Sequence, residues 1–350
     1  MLDRRKFLKS TGALAALSMV PFSGKASELK LSNDEANPVI LPKKLKKGDT
    51  IGLITPSAPI TKEQLNETVK KLEKLGFKTY YKDSVLSEYG YFAGKDQERA
   101  DELMSMFTNK EVDGILSVRG GYGAIRILDM LDYEAIKQNP KVFMGFSDIT
   151  AFLNAIYSKT GLVTFHGPLG ISTYTDFSWV VFKSVAMEPK SRYLYPYFRE
   201  PDEAENPEFD LYTINSGKAT GNLIGGNISV LDSMTGTEFE PDFADKIVIL
   251  EEVEEKTYKV DKMLVHLLQA TNLKDAAGIA FGTFKDCNIN DEPKLTLKQA
   301  IEDLFKPLDM PIIYGLPFGH ILFNITIPLG IRAQLNANKN TLKLLDFAVG

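Results

Sequence analysis

Apolar and polar positions follow two rhythms along this chain. Thr50-Ile51-Gly52-Leu53-Ile54-Thr55 is a short apolar run ending in Pro56-Ser57-Ala58-Pro59, the pattern of a buried strand. Leu65, Val69, Leu72 and Leu75 then fall at i, i+4, i+7 and i+10, one face of a helix. Thr61 and Gln64 form a capping box at its start, and Gly76 stands where a helix ends. Residues 77–81 read as the next strand. Residues 96–109 read as a helix with Ala100, Leu103 and Phe107 inward. A strand at 114–118, a helix at 124–131, a strand at 142–145 and a helix at 149–158 follow. This alternation predicts βαβ units and a mainly parallel sheet. Ligands of such sheets bind beyond the carboxyl ends of the strands. Here those ends are Pro56-Ser57-Ala58, Arg119-Gly120-Gly121-Tyr122-Gly123 and Phe146-Ser147-Asp148.

The rhythm breaks over residues 172–210, which are rich in aromatics and proline and read as an interdomain connection. A second domain, 211–350, opens with Gly-rich turns (Gly221, Gly225-Gly226). It continues with a strand at 247–250, a helix at 261–270 and a strand at 278–282. The first domain then spans 48–171.

The N-terminus follows neither rhythm. Asp3-Arg4-Arg5-Lys6-Phe7-Leu8-Lys9 is a basic head with paired arginines, an apolar run spans 12–22, and Gly24-Lys25-Ala26 offers a small-residue cleavage site. The combination predicts a secretory signal of twin-arginine type over 1–26 and an exported, periplasmic or extracytoplasmic protein. Residues 27–47 read as a polar linker. The apolar run is too short for a stable anchor, so no membrane attachment is expected after processing.

Charge sharpens this picture. The full chain of 350 residues has net charge −5. Removing residues 1–26, with five basic and one acidic side chain, leaves −9. An acidic protein without clustered Lys and Arg is not a general nucleic-acid binder. Cys287 is the lone cysteine, so no internal disulfide forms.

Ser147 directly follows a strand and directly precedes a helix. That is the geometry of a nucleophile elbow, with the Asp148 N–H at the helix start able to stabilise an oxyanion. Helix capping by Ser147 is the other reading. The glycines of Arg119-Gly120-Gly121-Tyr122-Gly123 let the backbone approach a ligand, and their N–H groups offer further oxyanion donors; a plain tight turn is the alternative. A serine nucleophile needs a base. His320, in a Gly/Pro-rich loop, is the first candidate and His166 the second, while His266 reads as a surface or packing residue. Glu251, at the end of an apolar strand, is the best-placed acid to orient the base. No histidine pair has ligand spacing, and no metal or cofactor is expected.

Taken in order, Gly48-Asp49-Thr50-Ile51 through Ala58, Arg119 to Gly123, Gly145 to Asp148, Gly225-Gly226-Asn227, Leu250-Glu251-Glu252 with Tyr258 and Asp261, and Gly319-His320 resemble the LD-carboxypeptidase, or murein tetrapeptide carboxypeptidase, family. The resemblance covers roughly residues 45–345. It implies a flavodoxin-like α/β N-terminal domain and a smaller β-rich C-terminal domain. It further implies a Ser147–Glu251–His320 triad, oxyanion donors at Asp148 and Gly121, and often a homodimer. The implied reaction releases terminal D-alanine from a small murein peptide, with Arg119 one candidate for its carboxylate. Lys262 stands where the family often has Arg. Two other readings remain: a peptidase of the microcin C self-immunity type, with Trp179 clamping a base, and a non-catalytic murein-peptide binder.

Overall fold

The computed structural model describes residues 38–190, 192–199, 206–287 and 295–350. The expected signal segment 1–26 and the start of the expected linker lie outside these residues.

The first half builds β1 (Thr50–Ile54), α1 (Lys62–Leu75), β2 (Lys78–Tyr80), α2 (Asp96–Thr108), β3 (Gly114–Ser117), α3 (Tyr133–Gln138), β4 (Val142–Gly145), α4 (Thr150–Thr160) and β5 (Thr164–His166). The Thr61–Gln64 box forms with both bonds, at 3.2 and 2.9 Å, and Gly76 takes the left-handed conformation that ends α1. The expected helix at 124–131 is instead a 3-10 segment, Ala124–Met130.

A helix also occupies the presumed connection: α5 (Asp176–Phe182), capped by Thr175. Its Trp-Val-Val-Phe run is a weak helix former, and packing supplies what propensity does not. Val181, Phe182, Val185 and Ala186 are buried in the main core. The stretch read as a linker also docks from Ile40 onward: Ile40 N–H donates to the Gly161 carbonyl at 2.8 Å, and Leu45 is 2 % exposed.

The second half adds β6 (Tyr212–Asn215), β7 (Lys218–Asn227), α6 (Ile228–Met234), β8 (Ile247–Val253), α7 (Thr257–Ala270), β9 (Gly278–Lys285), α8 (Leu297–Phe305), β10 (Ile312–Tyr314), β11 (Ile327–Leu329), β12 (Arg332–Asn336) and β13 (Thr341–Leu344). Two sheets result. The first has the order β11-β5-β4-β3-β1-β2, parallel except for β11. The second has the order β13-β12-β7-β8-β9-β10-β6, and its four middle strands are parallel. The C-terminal half is therefore strand-rich but also built on βαβ crossovers, and its β11 completes the first sheet.

Period-two alternation divides β8 between two cores. Ile247 and Ile249 face a core shared with the first sheet, while Val248 and Leu250 join a second cluster under α7 and α8. Glu251 continues the Ile247–Ile249 side, and that parity aims it at the first half of the chain.

Candidate active site

Ser147 lies just beyond the carboxyl end of β4, a central strand of the first sheet. Phe146 is extended, and Ser147 has φ +64°, a left-handed conformation that costs a non-glycine residue energy. One 3-10 turn, Ser147–Ile149, then leads into α4. Gly145 permits this tight reversal, because a Cβ there would stand 2.9 Å from the Ile149 side chain. Ser147 is half-buried, whereas its neighbours on both sides are buried. The backbone of Gly120 passes directly against it: a Cβ on Gly120 would lie 3.0 Å from the Ser147 Cβ and 3.2 Å from its Oγ. Gly121, at φ +119°, packs instead on Ala58.

Asp148 points inward and braces the loops. Its Oδ2 accepts from the Ser57 hydroxyl at 2.5 Å and from the Ala124 N–H at 2.8 Å. Burial pushes its carboxyl up, opposed by these hydrogen bonds and the Arg99 charge. Arg99 of α2 is fully buried and donates to the carbonyls of Pro56 and Gly123 and, at 2.6 Å, to Asp96. The loops after β1, β3 and β4 are thus tied to one another behind Ser147. Ser57 lies in one of the three strand ends singled out in the sequence, but its bracing role did not stand out, and Arg99 did not stand out at all. A charged residue on the inner face of an amphipathic helix was the available signal for Arg99.

The other two candidates come from the second half of the chain. Glu251 is wholly buried on β8, and its Oε2 lies 2.8 Å from His320 Nδ1. Gly319, at φ +115°, makes the approach possible, since a Cβ there would stand 2.9 Å from that Oε2. Gly319 N–H donates to Asn324 Oδ1 at 3.2 Å, which pins the turn carrying His320. The imidazole packs edge-on against the Phe146 ring, with centroids 4.7 Å apart. Phe146 immediately precedes Ser147, so the pair and the elbow share one locale. The electrostatics are mutual. Burial disfavours both ions, yet attraction to the imidazole brings Glu251 below its ordinary value, and attraction to Glu251 raises His320 above its own.

Glu252 faces the other way. It accepts from Asn227 Nδ2 at 3.0 Å and from the Ser229 N–H at 2.9 Å, which fixes the β7–α6 turn. Burial and the Glu251 charge push it up. Glu254 is exposed and Glu255 pairs with Lys259 at 2.9 Å, as befits a solvated loop.

His166 lies at the end of β5 between Phe146 and Phe318, each 5.8 Å away. Burial lowers its pKa to about 4, and neither ring nitrogen has a hydrogen-bond partner among the described residues. It makes no hydrogen bond to Glu251, although the Glu251 charge opposes the effect of burial. His266 is on the surface of α7, 2.6 Å from Asp232. Arg119 is half-buried and uses Nη1 on the Pro59 carbonyl at 2.8 Å. Trp179 stacks on Phe182 at 5.5 Å and meets Phe77 edge-on at 6.3 Å, and so belongs to the core. Burial lifts the Cys287 thiol to about 12, which makes it no nucleophile.

Comparison with known proteins agrees with this architecture. Residues 51–167 match the family description LD-carboxypeptidase N-terminal domain, and residues 220–335 match LD-carboxypeptidase C-terminal domain. A probable murein peptide carboxypeptidase of Bacillus subtilis is 36 % identical over 306 residues, covering 86 % of this chain and 92 % of the relative. The murein tetrapeptide carboxypeptidase of Pseudomonas aeruginosa is 28 % identical, covering 83 % and 94 %. The solved apo structure of the microcin C7 self-immunity protein MccF superposes with a TM-score of 0.81 at 26 % identity, covering 89 % of this chain and all of that one. With both domains matched in order across most of its length, this chain belongs to the LD-carboxypeptidase family.

Proposed function

We propose that the chain is an exported serine carboxypeptidase that releases terminal D-alanine from murein tetrapeptides through an acyl-enzyme. The observation that carries this reading is the His320–Glu251 contact at 2.8 Å, packed against the residue preceding a serine at φ +64°. A hydroxyl at neutral pH is a poor nucleophile without a base, and a base needs a fixed tautomer. Glu251 accepts a hydrogen bond from His320 Nδ1–H, which leaves Nε2 free to take the Ser147 proton.

Ser147 Oγ attacks the carbonyl of the third residue. The Asp148 N–H and the Gly121 N–H, on the peptide next to Gly120, receive the developing oxyanion. The tetrahedral intermediate collapses, His320 returns its proton to the leaving amine, and D-alanine departs. Water activated by His320 then attacks the ester and frees Ser147. Arg119 retains four N–H donors beyond the one on Pro59, and these suit the substrate's terminal carboxylate. Export rests on the basic, apolar and small-residue order of residues 1–26.

A nucleotide-amide substrate is less well supported, because Trp179 is engaged with Phe77 and Phe182. The purified protein incubated with disaccharide-tetrapeptide is expected to release D-alanine, detected by mass spectrometry, and Ser147→Ala is not. Release by both would remove Ser147 from the chemistry. Release by neither would shift the reading to another amide or to binding without turnover.

A further inference from the structure

Beside the nucleophile is an aromatic surface that the reaction above leaves unused. Tyr91 is 67 % exposed and Tyr122 52 % exposed, and their rings are 6.1 Å apart at 43°. Tyr122 is two residues from Gly120, which touches Ser147. Tyr91 is presented by a tight turn in which the Tyr89 and Phe92 backbones exchange hydrogen bonds at 2.8 and 3.1 Å. The Ala93 N–H anchors that turn to the Ser57 carbonyl at 2.8 Å. Beneath it, Phe92 contacts both tyrosines and lies under the guanidinium groups of Arg99 and Arg126, at 4.9 and 5.0 Å. The rings are thus held in water by a braced support, at little entropic cost to a ligand.

We propose that Tyr91 and Tyr122 form a saccharide-stacking subsite that holds the glycan end of a murein-derived substrate; this deepens the peptidase reading above and rests on it. Two observations select a sugar. A planar base is best held between parallel faces, whereas these rings meet at 43° and present an angled platform suited to the apolar C–H face of a pyranose. Arg126 donates Nε and Nη2 to Asp96 Oδ2, at 3.0 and 2.6 Å, and Arg99 donates to Oδ1 of the same carboxylate at 2.6 Å, so both guanidinium groups beside Phe92 are turned toward Asp96 rather than toward a phosphate. The reach also fits. Three extended residues cover about 10 Å, and Tyr122 begins within about 7 Å of Gly120 along the backbone.

The test compares D-alanine release from disaccharide-tetrapeptide and from the sugar-free tetrapeptide. In wild type, kcat/KM is expected to favour the glycan-bearing substrate. Tyr91→Ala is expected to lose about five- to tenfold on that substrate, the size of one aromatic contact, and to stay within about twofold on the free peptide. Tyr91→Phe keeps the ring and is expected to retain the preference. Equal loss on both substrates, or none on either, overturns the subsite while leaving the peptidase reading intact. If wild type releases D-alanine from neither, the peptidase reading fails, and a β-1,4-linked N-acetylglucosamine tetramer titrated by calorimetry still decides the subsite: binding weakened by Tyr91→Ala supports it, and no binding overturns it.

Discussion

On the proposed mechanism His320 and Glu251 set the pH dependence, because each holds the other's charge. His320 acts as a base only when neutral, and Glu251 favours its charged form. Its pKa is therefore raised above the ordinary 6.5, and the acid limb of kcat/KM is expected above that pH. Glu251→Gln removes the attraction, so the limb moves to lower pH. The same change leaves the imidazolium unpaired in the transition state and lowers kcat by about 1,000-fold or more. A pH–rate profile of both proteins checks the direction and the size. A methyl group on Gly120 tests the elbow from the other side. Gly120→Ala places a Cβ 3.0 Å from the Ser147 Cβ, and kcat is expected to fall with the circular dichroism unchanged. The candidate residues were legible because Ser147 directly follows a strand, Glu251 adjoins the apolar run of β8 and His320 lies in a Gly/Pro-rich loop. The bracing residues were not. Arg99 and Ser57 act through backbone carbonyls and one buried carboxylate, and such contacts leave no spacing in the sequence.

Helix α4 and strand β7 are joined by a polar clamp. Asn154 Nδ2 donates to the Gly225 carbonyl at 3.0 Å, and the Gly225 N–H returns a bond to Asn154 Oδ1 at 3.0 Å. Thr150 Oγ1 accepts from the Asn227 N–H at 3.1 Å, one helical turn earlier. The element that starts at the nucleophile is thereby fastened to the strand beside Glu251. Asn154→Ala strands two buried backbone groups and is expected to cost about 2 kcal/mol or more, read as a lower Tm. Gly226 lets the strand approach, because a Cβ there would stand 2.5 Å from Thr150 Oγ1. At the level of elements, the strands and long helices of the first half follow the apolar periodicity closely. Helix α5 does not, since its aromatic and β-branched residues favour a helix only once buried against Phe77 and the core. The β8–β9 ladder also holds an unforeseen register shift between Leu250 and Glu252, where two residues of β9, Gly282 and Thr283, face Glu251 alone and β9 passes the loop that leads to His320.

The two sheets share one hydrophobic core. Leu223, Ile247, Ile249 and Ala280 of the second pack with Leu53, Ile115 and Phe143 of the first. A boundary at 210 therefore divides the sequence but not the cooperative unit, and urea is expected to unfold the protein in a single transition by both fluorescence and circular dichroism. Two separate transitions would show that the halves are independent. The active-site candidates straddle that core, with Ser147 on one sheet, Glu251 on the other and His320 in a loop beyond β10. The strand β11, paired to β5 through Ile327 and His166, closes the first sheet only with residues near the end of the chain.

That late closure governs how the protein comes into being. As a ribosome delivers the chain, Ser147 emerges well before either Glu251 or His320 and faces neither. The edge of the first sheet stays open until Leu329 has appeared, and His320 arrives only just before it. A product truncated before residue 320 therefore carries Ser147 without the His320–Glu251 pair that the proposed mechanism needs. On the proposed mechanism, hydrolytic activity therefore waits for the His320 loop and β11 rather than for Ser147.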